Sequence, residues 1–520
     1  MKMHKIFDSR LAVIFLIPFF LGILSVFSFQ PFNFTFINFL IIPSFFLILS
    51  YVKRKSKSVY RKKPYLKNLF LVGYLFGVGF FLSGVYWISH SLTYDEQFLY
   101  LIPFALILIP LFLGLFFGLG TLLMGPFITN NFTSILIFCS SLSFIDFLRS
   151  KILTGFPWNL WAYSWSWFPE VLQLLNYIGL FAFNLLSLTI FCLPLLLIFK
   201  KRKINLIIFF ILSILFFSNY IYGSYKISTE EKIYNSINIT NSNSLNIKIV
   251  SPNFDLKYNL NFADIEKLVQ KLIRYSEPEN NKNTIFIWPE GVFVGYELSE
   301  IKKLKNLFNK NFSDNQMIVF GINTRENISN NYYNSLVLVN NNLEVLYKYN
   351  KIKLVPFGEF LPFEKFLNKF GFKKITGGHG SFLKGEKQKN IIIDSFEVLP
   401  LICYEIIFPQ LIQNKNFNLI FNISEDAWFG GSIGPYQHFA KAIFRAIESN
   451  TFVVRSANQG VSAFINHTGK VVKRLEPNET GNIELKIVNV NNNYKNKNDL
   501  IFFILLFTYT IIFFTLRNKL

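Results

Sequence analysis

Three side chains with complementary chemistry each follow an apolar, strand-like run: Glu290 in IFIWPEG, Lys351 in YKYNKIKLVPFGEF and Cys403 in FEVLPLICYE. A carboxylate can take a thiol proton, the thiolate can attack a carbonyl carbon, and an ammonium can favour the thiolate and then hold the oxyanion of a tetrahedral intermediate. A backbone N–H just after the nucleophile, such as that of Tyr404, can complete an oxyanion hole. Each residue also has a plainer reading: a surface Glu, a surface Lys, and a core Cys, since free cysteine is among the most buried residue types. Cys403 alone is compatible with both.

The elements that must position the three lie between about 225 and 497. Strand-like runs occur at 245–250, 284–288, 316–320, 335–339, 343–347, 391–402, 417–423, 451–456 and 461–466, with helical patterns at 262–276, 300–310 and 435–449. This alternation predicts an α/β sandwich. In open α/β sheets the chemistry sits at the ends of central strands, and each of the three residues comes just after a strand-like run.

The rest of the chain is apolar. Of 520 residues 52% are hydrophobic, 64 are Phe, and only 16% are charged. Apolar spans of bilayer-crossing length fall at about 11–29, 35–52, 68–89, 98–124, 128–148, 171–199, 204–223 and 499–516, eight in all. The first is read as retained, because no small-residue cleavage site follows it. The most basic loops, VKRKSKSVYRKK and KKRK at 200–203, follow an even number of spans and so share the side of the N-terminus, which should be cytoplasmic. The segment 225–497 then lies outside the cytoplasm, and the tail after the eighth span returns inside. Three parts are expected: a membrane domain at 1–224, a catalytic domain at 225–497, and a C-terminal span with a short tail at 498–520. The net charge of +21 orients membrane helices rather than marking a nucleic-acid partner, because Lys and Arg sit in short runs beside the apolar spans. No zinc spacing or P-loop is present, and the chain is read as using no metal or organic cofactor.

Asp146 is costly in lipid unless paired, and Arg149, three residues on, is its natural partner. Arg149 and Trp158, with Trp87 at the same outer level, are candidates for a mouth where a lipid headgroup meets basic and aromatic groups. An ordinary aromatic belt is the alternative.

Glu290 in WPEG, Lys351 in YNKIKLVPFGEF and Cys403 in ICYE resemble the Glu-Lys-Cys triad of the nitrilase superfamily. YNK…LVPFGE, ICYE, NISEDAWFGGSIGPYQH, RSANQG and LTGFPW, together with the span layout, resemble the bacterial apolipoprotein N-acyltransferase family nearly end to end. The resemblance implies a nitrilase-like αββα sandwich on a polytopic base of eight transmembrane helices in the bacterial inner membrane. It implies an acyl chain moved from a phospholipid, typically phosphatidylethanolamine, to the N-terminal diacylglyceryl-cysteine amine of apolipoproteins. Cys403 would be nucleophile, Glu290 base and Lys351 oxyanion partner, with Glu359, Tyr404, Glu405, Asn334 and Trp428 at further family positions. The chain departs from the family where Glu425 replaces an Asn and where Tyr258 stands for an active-site Trp. Two rivals remain on the residues alone: a membrane-tethered nitrilase-type amidase or hydrolase, and a polytopic transporter with a soluble appendage.

Overall fold

The computed structural model describes residues 9–517 except 56–64, 200–202, 237–243, 258–259, 327–330, 368, 370–380, 388, 414–415 and 490–498. It divides into two compact units. One comprises Met1–Ser89, Tyr100–Ser228 and Lys497–Leu520, the other His90–Leu99 and Thr229–Asn496. That residues 90–99 belong with the second unit is not visible in hydropathy.

The first unit is helical. Among the described residues six helical stretches are long and apolar enough to cross a membrane: Thr35–Lys55, Tyr65–Tyr94, Glu96–Phe127, Phe132–Lys151, Leu180–Ile198 and Lys203–Tyr234. Two apolar stretches, Ala12–Ser28 and Leu500–Leu516, lie where the first and last spans are expected but are shorter than the other six. The expected continuous span at 171–199 is instead broken into Pro169–Leu172, Leu175–Ile178, Leu180–Phe191 and Leu193–Ile198. Pro169 and Pro194 open two of these pieces, since proline lacks the N–H that would continue a preceding helix. Helices Tyr65–Val85 and Ile102–Met124 approach closely at Gly77, where a Cβ would lie 2.9 Å from the Gly114 Cα. Lipid supplies no hydrophobic drive between helices, so such small-residue contacts carry the packing.

Arg149 and Asp146 do pair, at 2.9 Å. The guanidinium also donates to the carbonyls of Phe156 at 2.5 Å and Trp158 at 3.0 Å and lies over the Phe81 ring. Asn184 donates to the other Asp146 oxygen at 3.1 Å. Arg149, Trp158 and Trp87 are all buried, and the two Trp rings pack 4.7 Å apart. The arginine expected at a headgroup mouth is instead buried inside the helical unit, where Asp146 and the Phe156 and Trp158 carbonyls engage its two terminal nitrogens.

The second unit holds two six-stranded sheets. The strands are β1 (Ser244–Ser251), β2 (Ile285–Ile287), β3 (Met317–Arg325), β4 (Tyr332–Asn340), β5 (Val345–Asn350), β6 (Ile391–Ile393), β7 (Phe396–Ile402), β8 (Leu419–Glu425), β9 (Phe452–Asn458), β10 (Ser462–Ile465), β11 (Val471–Leu475) and β12 (Gly481–Val488). The sheet orders are β12-β1-β2-β3-β4-β5 and β11-β10-β9-β8-β7-β6. β1-β2-β3 and β7-β8-β9 pair in parallel; the flanks are antiparallel. Strands buried on both faces read as continuous apolar runs, which is why FEVLPLI and LIFNISE lack alternation.

One core cluster draws from both sheets, with Ile247, Ile249 and Ile287 of the first and Val398, Ile402, Phe421 and Val454 of the second. A second cluster packs Ile265, Val269 and Leu272 of helix Phe262–Ser276 on Phe286 and Phe320 of the first sheet. The Asn261 side chain caps that helix by accepting from the Asp264 N–H at 2.9 Å. The expected run 391–402 is a hairpin, β6–β7, turned at Asp394 with φ +50°.

Candidate active site

β7 ends at Ile402 and the chain turns sharply at Cys403, whose φ is +48°. A non-glycine residue held there costs about 1–3 kcal/mol and persists only where its surroundings over-determine it. Glu405 supplies that restraint. Its Oε2 accepts from the Ile402 N–H at 2.9 Å. Its Oε1 accepts from the N–H groups of Ile352 at 2.8 Å and Lys353 at 3.0 Å and from the Tyr349 hydroxyl at 2.8 Å. One buried carboxyl therefore ties the turn after β7 to the segment after β5. Burial raises the Glu405 pKa, and the backbone donors oppose the rise.

Lys351 leaves β5 with its N–H bonded to the Asn334 carbonyl at 2.8 Å. Its ammonium is 1% exposed, 2.8 Å from Glu359 Oε1 and 3.4 Å from Glu290 Oε1. Asn334 Nδ2 donates to both carboxylates at 2.7 Å and holds them on either side of the ammonium. Val355 N–H fixes the second Glu359 oxygen at 2.8 Å, and Glu425 N–H donates to the second Glu290 oxygen at 3.2 Å. Gly291, next to Glu290, has φ +77°, and a Cβ there would lie 2.3 Å from Glu425 Oε2.

Burial alone would depress the Lys351 ammonium, but Glu290 and Glu359 outweigh it and raise the pKa. Burial pushes the Cys403 thiol up, Glu290 adds to the rise, and Lys351 opposes it. At neutral pH the site therefore holds a thiol and an ammonium, so attack requires a base to take the proton as the sulfur reacts. The arrangement can do that: Glu290 acts electrostatically on the sulfur and is itself oriented by three donors.

Next to the thiol is a polar cluster. The Ser424 hydroxyl donates to Asp426 Oδ1 at 2.6 Å, Arg455 donates to Oδ2 at 2.7 Å, and His438 Nδ1 lies 3.0 Å from Oδ1. Arg455 also donates to Asn422 Oδ1. Burial would raise the Asp426 carboxyl, but Arg455 and His438 override it and hold it at about 2. Burial drives His438 down to about 4, leaving it neutral. Glu425, the residue in place of an expected Asn, is buried and pushed well above the usual carboxyl range. Its side chain accepts from Asn458 at 3.0 Å and from the Ala427 N–H at 3.1 Å. It adds a buried hydrogen-bond acceptor to the site, with burial opposing its ionisation.

Of the expected residues, Glu290, Lys351, Glu359 and Asn334 meet directly, and Cys403 and Glu405 join them. The Tyr404 ring packs on Phe408 at 4.9 Å, and Trp428 packs on Tyr94 at 5.2 Å. The Tyr94 hydroxyl donates to the Ala427 carbonyl at 2.6 Å, so the 90–99 segment braces the turn after β8. Tyr258 lies outside the described residues. Trp87, Arg149 and Trp158 belong to the helical unit. Ser424, Asp426, Arg455 and Tyr349 were not singled out from the sequence. The signal for the first three was their clustering at the ends of adjacent apolar runs. Among the described residues no group of three or more His, Cys, Asp or Glu side chains is placed to hold a metal ion.

A buried Glu–Lys pair beside a thiol at the ends of two facing sheets defines the carbon-nitrogen hydrolase class. A family model described as carbon-nitrogen hydrolase matches residues 253–493, and one described as apolipoprotein N-acyltransferase N-terminal domain matches 21–193. The chain is 33% identical over 477 residues to an apolipoprotein N-acyltransferase of Rickettsia prowazekii, covering 89% of this chain and 90% of that one. It is 30% identical over 432 residues to another from Rhizobium leguminosarum, covering 80% of each. A solved CN-hydrolase superfamily protein of Xanthomonas campestris is 16% identical, with a TM-score of 0.34 over 47% of this chain and 91% of that one. The chain belongs to the apolipoprotein N-acyltransferase family.

Proposed function

We propose that this protein transfers a fatty acyl chain from a phospholipid to the α-amine of the diacylglyceryl-cysteine of apolipoproteins, through a thioester on Cys403. Glu290 takes the thiol proton as the sulfur attacks the acyl ester. Lys351 and backbone donors hold the oxyanion, lysophospholipid leaves, and the acceptor amine displaces the sulfur while Glu290 takes its proton. Glu359, Asn334 and Glu405 position these groups, and Tyr404 and Trp428 line or support the acyl site. Phosphatidylethanolamine is the donor. The αββα catalytic domain lies in the periplasm on an eight-helix base in the inner membrane, with both termini cytoplasmic.

The observation that carries the reading is Lys351, buried between Glu290 and Glu359 and acting on the Cys403 thiol, in a chain of this family. The test uses the purified full chain, phosphatidylethanolamine and a diacylated lipopeptide. Mass spectrometry should find a fatty-acyl adduct on Cys403 before acceptor is added and a triacylated peptide after. Cys403→Ala should form neither. Triacylation by Cys403→Ala would overturn the mechanism, and release of free fatty acid with an unmodified amine would favour a hydrolase.

A further inference from the structure

Ser424 sits next to the end of β8 and is fully buried. The parallel register pairs Ile402 with Ile423, so the next residues on the two chains are Cys403 and Ser424. The Ser424 hydroxyl donates to Asp426 Oδ1 at 2.6 Å, and its place beside Cys403 across the register lets it turn to the sulfur, where a donated hydrogen bond favours the thiolate. A hydroxyl has one proton and serves one strong acceptor at a time. Asp426 does not depend on it, because Arg455 at 2.7 Å and His438 at 3.0 Å remain when the hydroxyl turns away.

We propose that Ser424 is a further catalytic residue, whose hydroxyl turns from Asp426 to the Cys403 sulfur as the thiol proton leaves for Glu290, and turns back once the sulfur is acylated. No bond to Ser424 forms or breaks. The proton travels from sulfur to the Glu290 carboxylate, and the hydroxyl donates to the negative charge left behind. A thioester sulfur is a poor acceptor, so acylation returns the hydroxyl to the Asp426 carboxylate. The charges acting on the sulfur set the need for such a donor. Glu290 and Asp426 oppose the thiolate, and Lys351 alone favours it. Lys351 is already shared with Glu290 and Glu359, Arg455 is bound to Asp426, and neutral His438 adds no positive charge.

The proposal rests on Cys403 being the nucleophile. It is tested on the purified full chain by iodoacetamide alkylation of Cys403 across a pH series, read by peptide mass spectrometry. Removing a hydrogen bond to a charged sulfur in Ser424→Ala should raise the alkylation midpoint by about one pH unit and slow alkylation about tenfold at neutral pH. Ser424→Thr and Ser424→Val share a shape and differ in the hydroxyl. The Thr variant should keep the wild-type midpoint and the Val variant should lose it, whatever either does to the melting temperature. A melting temperature that falls with an unmoved midpoint, or equal midpoints for Thr and Val, would overturn the proposal and leave Cys403 as nucleophile. Acyl transfer by Cys403→Ala would remove both.

Discussion

At Cys403 the side chain rides on backbone that L-residues avoid, with φ +48°, and the turn is held by hydrogen bonds to Glu405 rather than by local preference. Glu405 accepts four donors and has none to spare. Glu405→Gln keeps the shape but turns an NH2 toward at least one of those donors. Leaving a buried donor unsatisfied costs about 1–3 kcal/mol, so under the proposed mechanism thioester formation on Cys403 should slow by about tenfold or more. Rapid-quench mass spectrometry of the acyl adduct reads this directly, and a rate within about twofold of wild type would show that Glu405 does not set the turn.

Helix Gly434–Ser449 carries His438 into the polar cluster next to the thiol, where burial depresses it from 6.5 to about 4. The neutral form is therefore favoured by folding. The unfolded chain binds a proton below 6.5, the folded chain only near 4, so stability rises with pH across that window and falls on acidification. Asp426, held near 2 from 3.8, extends the same trend to lower pH. The melting temperature of the wild type should drop between pH 6.5 and 4, and His438→Asn should flatten that slope; equal slopes would contradict the assignment. Elements differ in how legible they were. Glu290, Lys351 and Cys403 each end an apolar run, so their position was visible without the fold. Ser424 and Asp426 are near neighbours in the chain, but Arg455 and Cys403 reach them only through the β7-β8-β9 register, which the ends of the separate apolar runs do not reveal. β11 and β12 escaped notice because Lys473, Arg474, Glu484 and Lys486 interrupt their apolar positions, as suits edge strands. Arg149 was read as facing lipid headgroups because its carbonyl partners at Phe156 and Trp158 belong to a loop whose path the sequence does not reveal.

Over the whole molecule, two packing regimes coexist. The helical unit relies on close approach, as at Gly77 against Gly114 and Phe117. Gly77→Val should force these helices apart and lower the melting temperature of the detergent-solubilised protein, with overpacking costing about 1–3 kcal/mol; an unchanged midpoint would show that the helices have room. The second unit relies on apolar contact between its two sheets, which is non-directional and tolerates sliding. The reacting groups are not left to that contact. Because Glu405 accepts from both the β5 and the β7 side, the spacing between ammonium and sulfur is set by a rigid polar clasp. Core side chains such as Ile249 or Val454 can then drift among similar volumes over generations without detuning the chemistry, which gives this enzyme a wide neutral territory around a narrowly specified clasp.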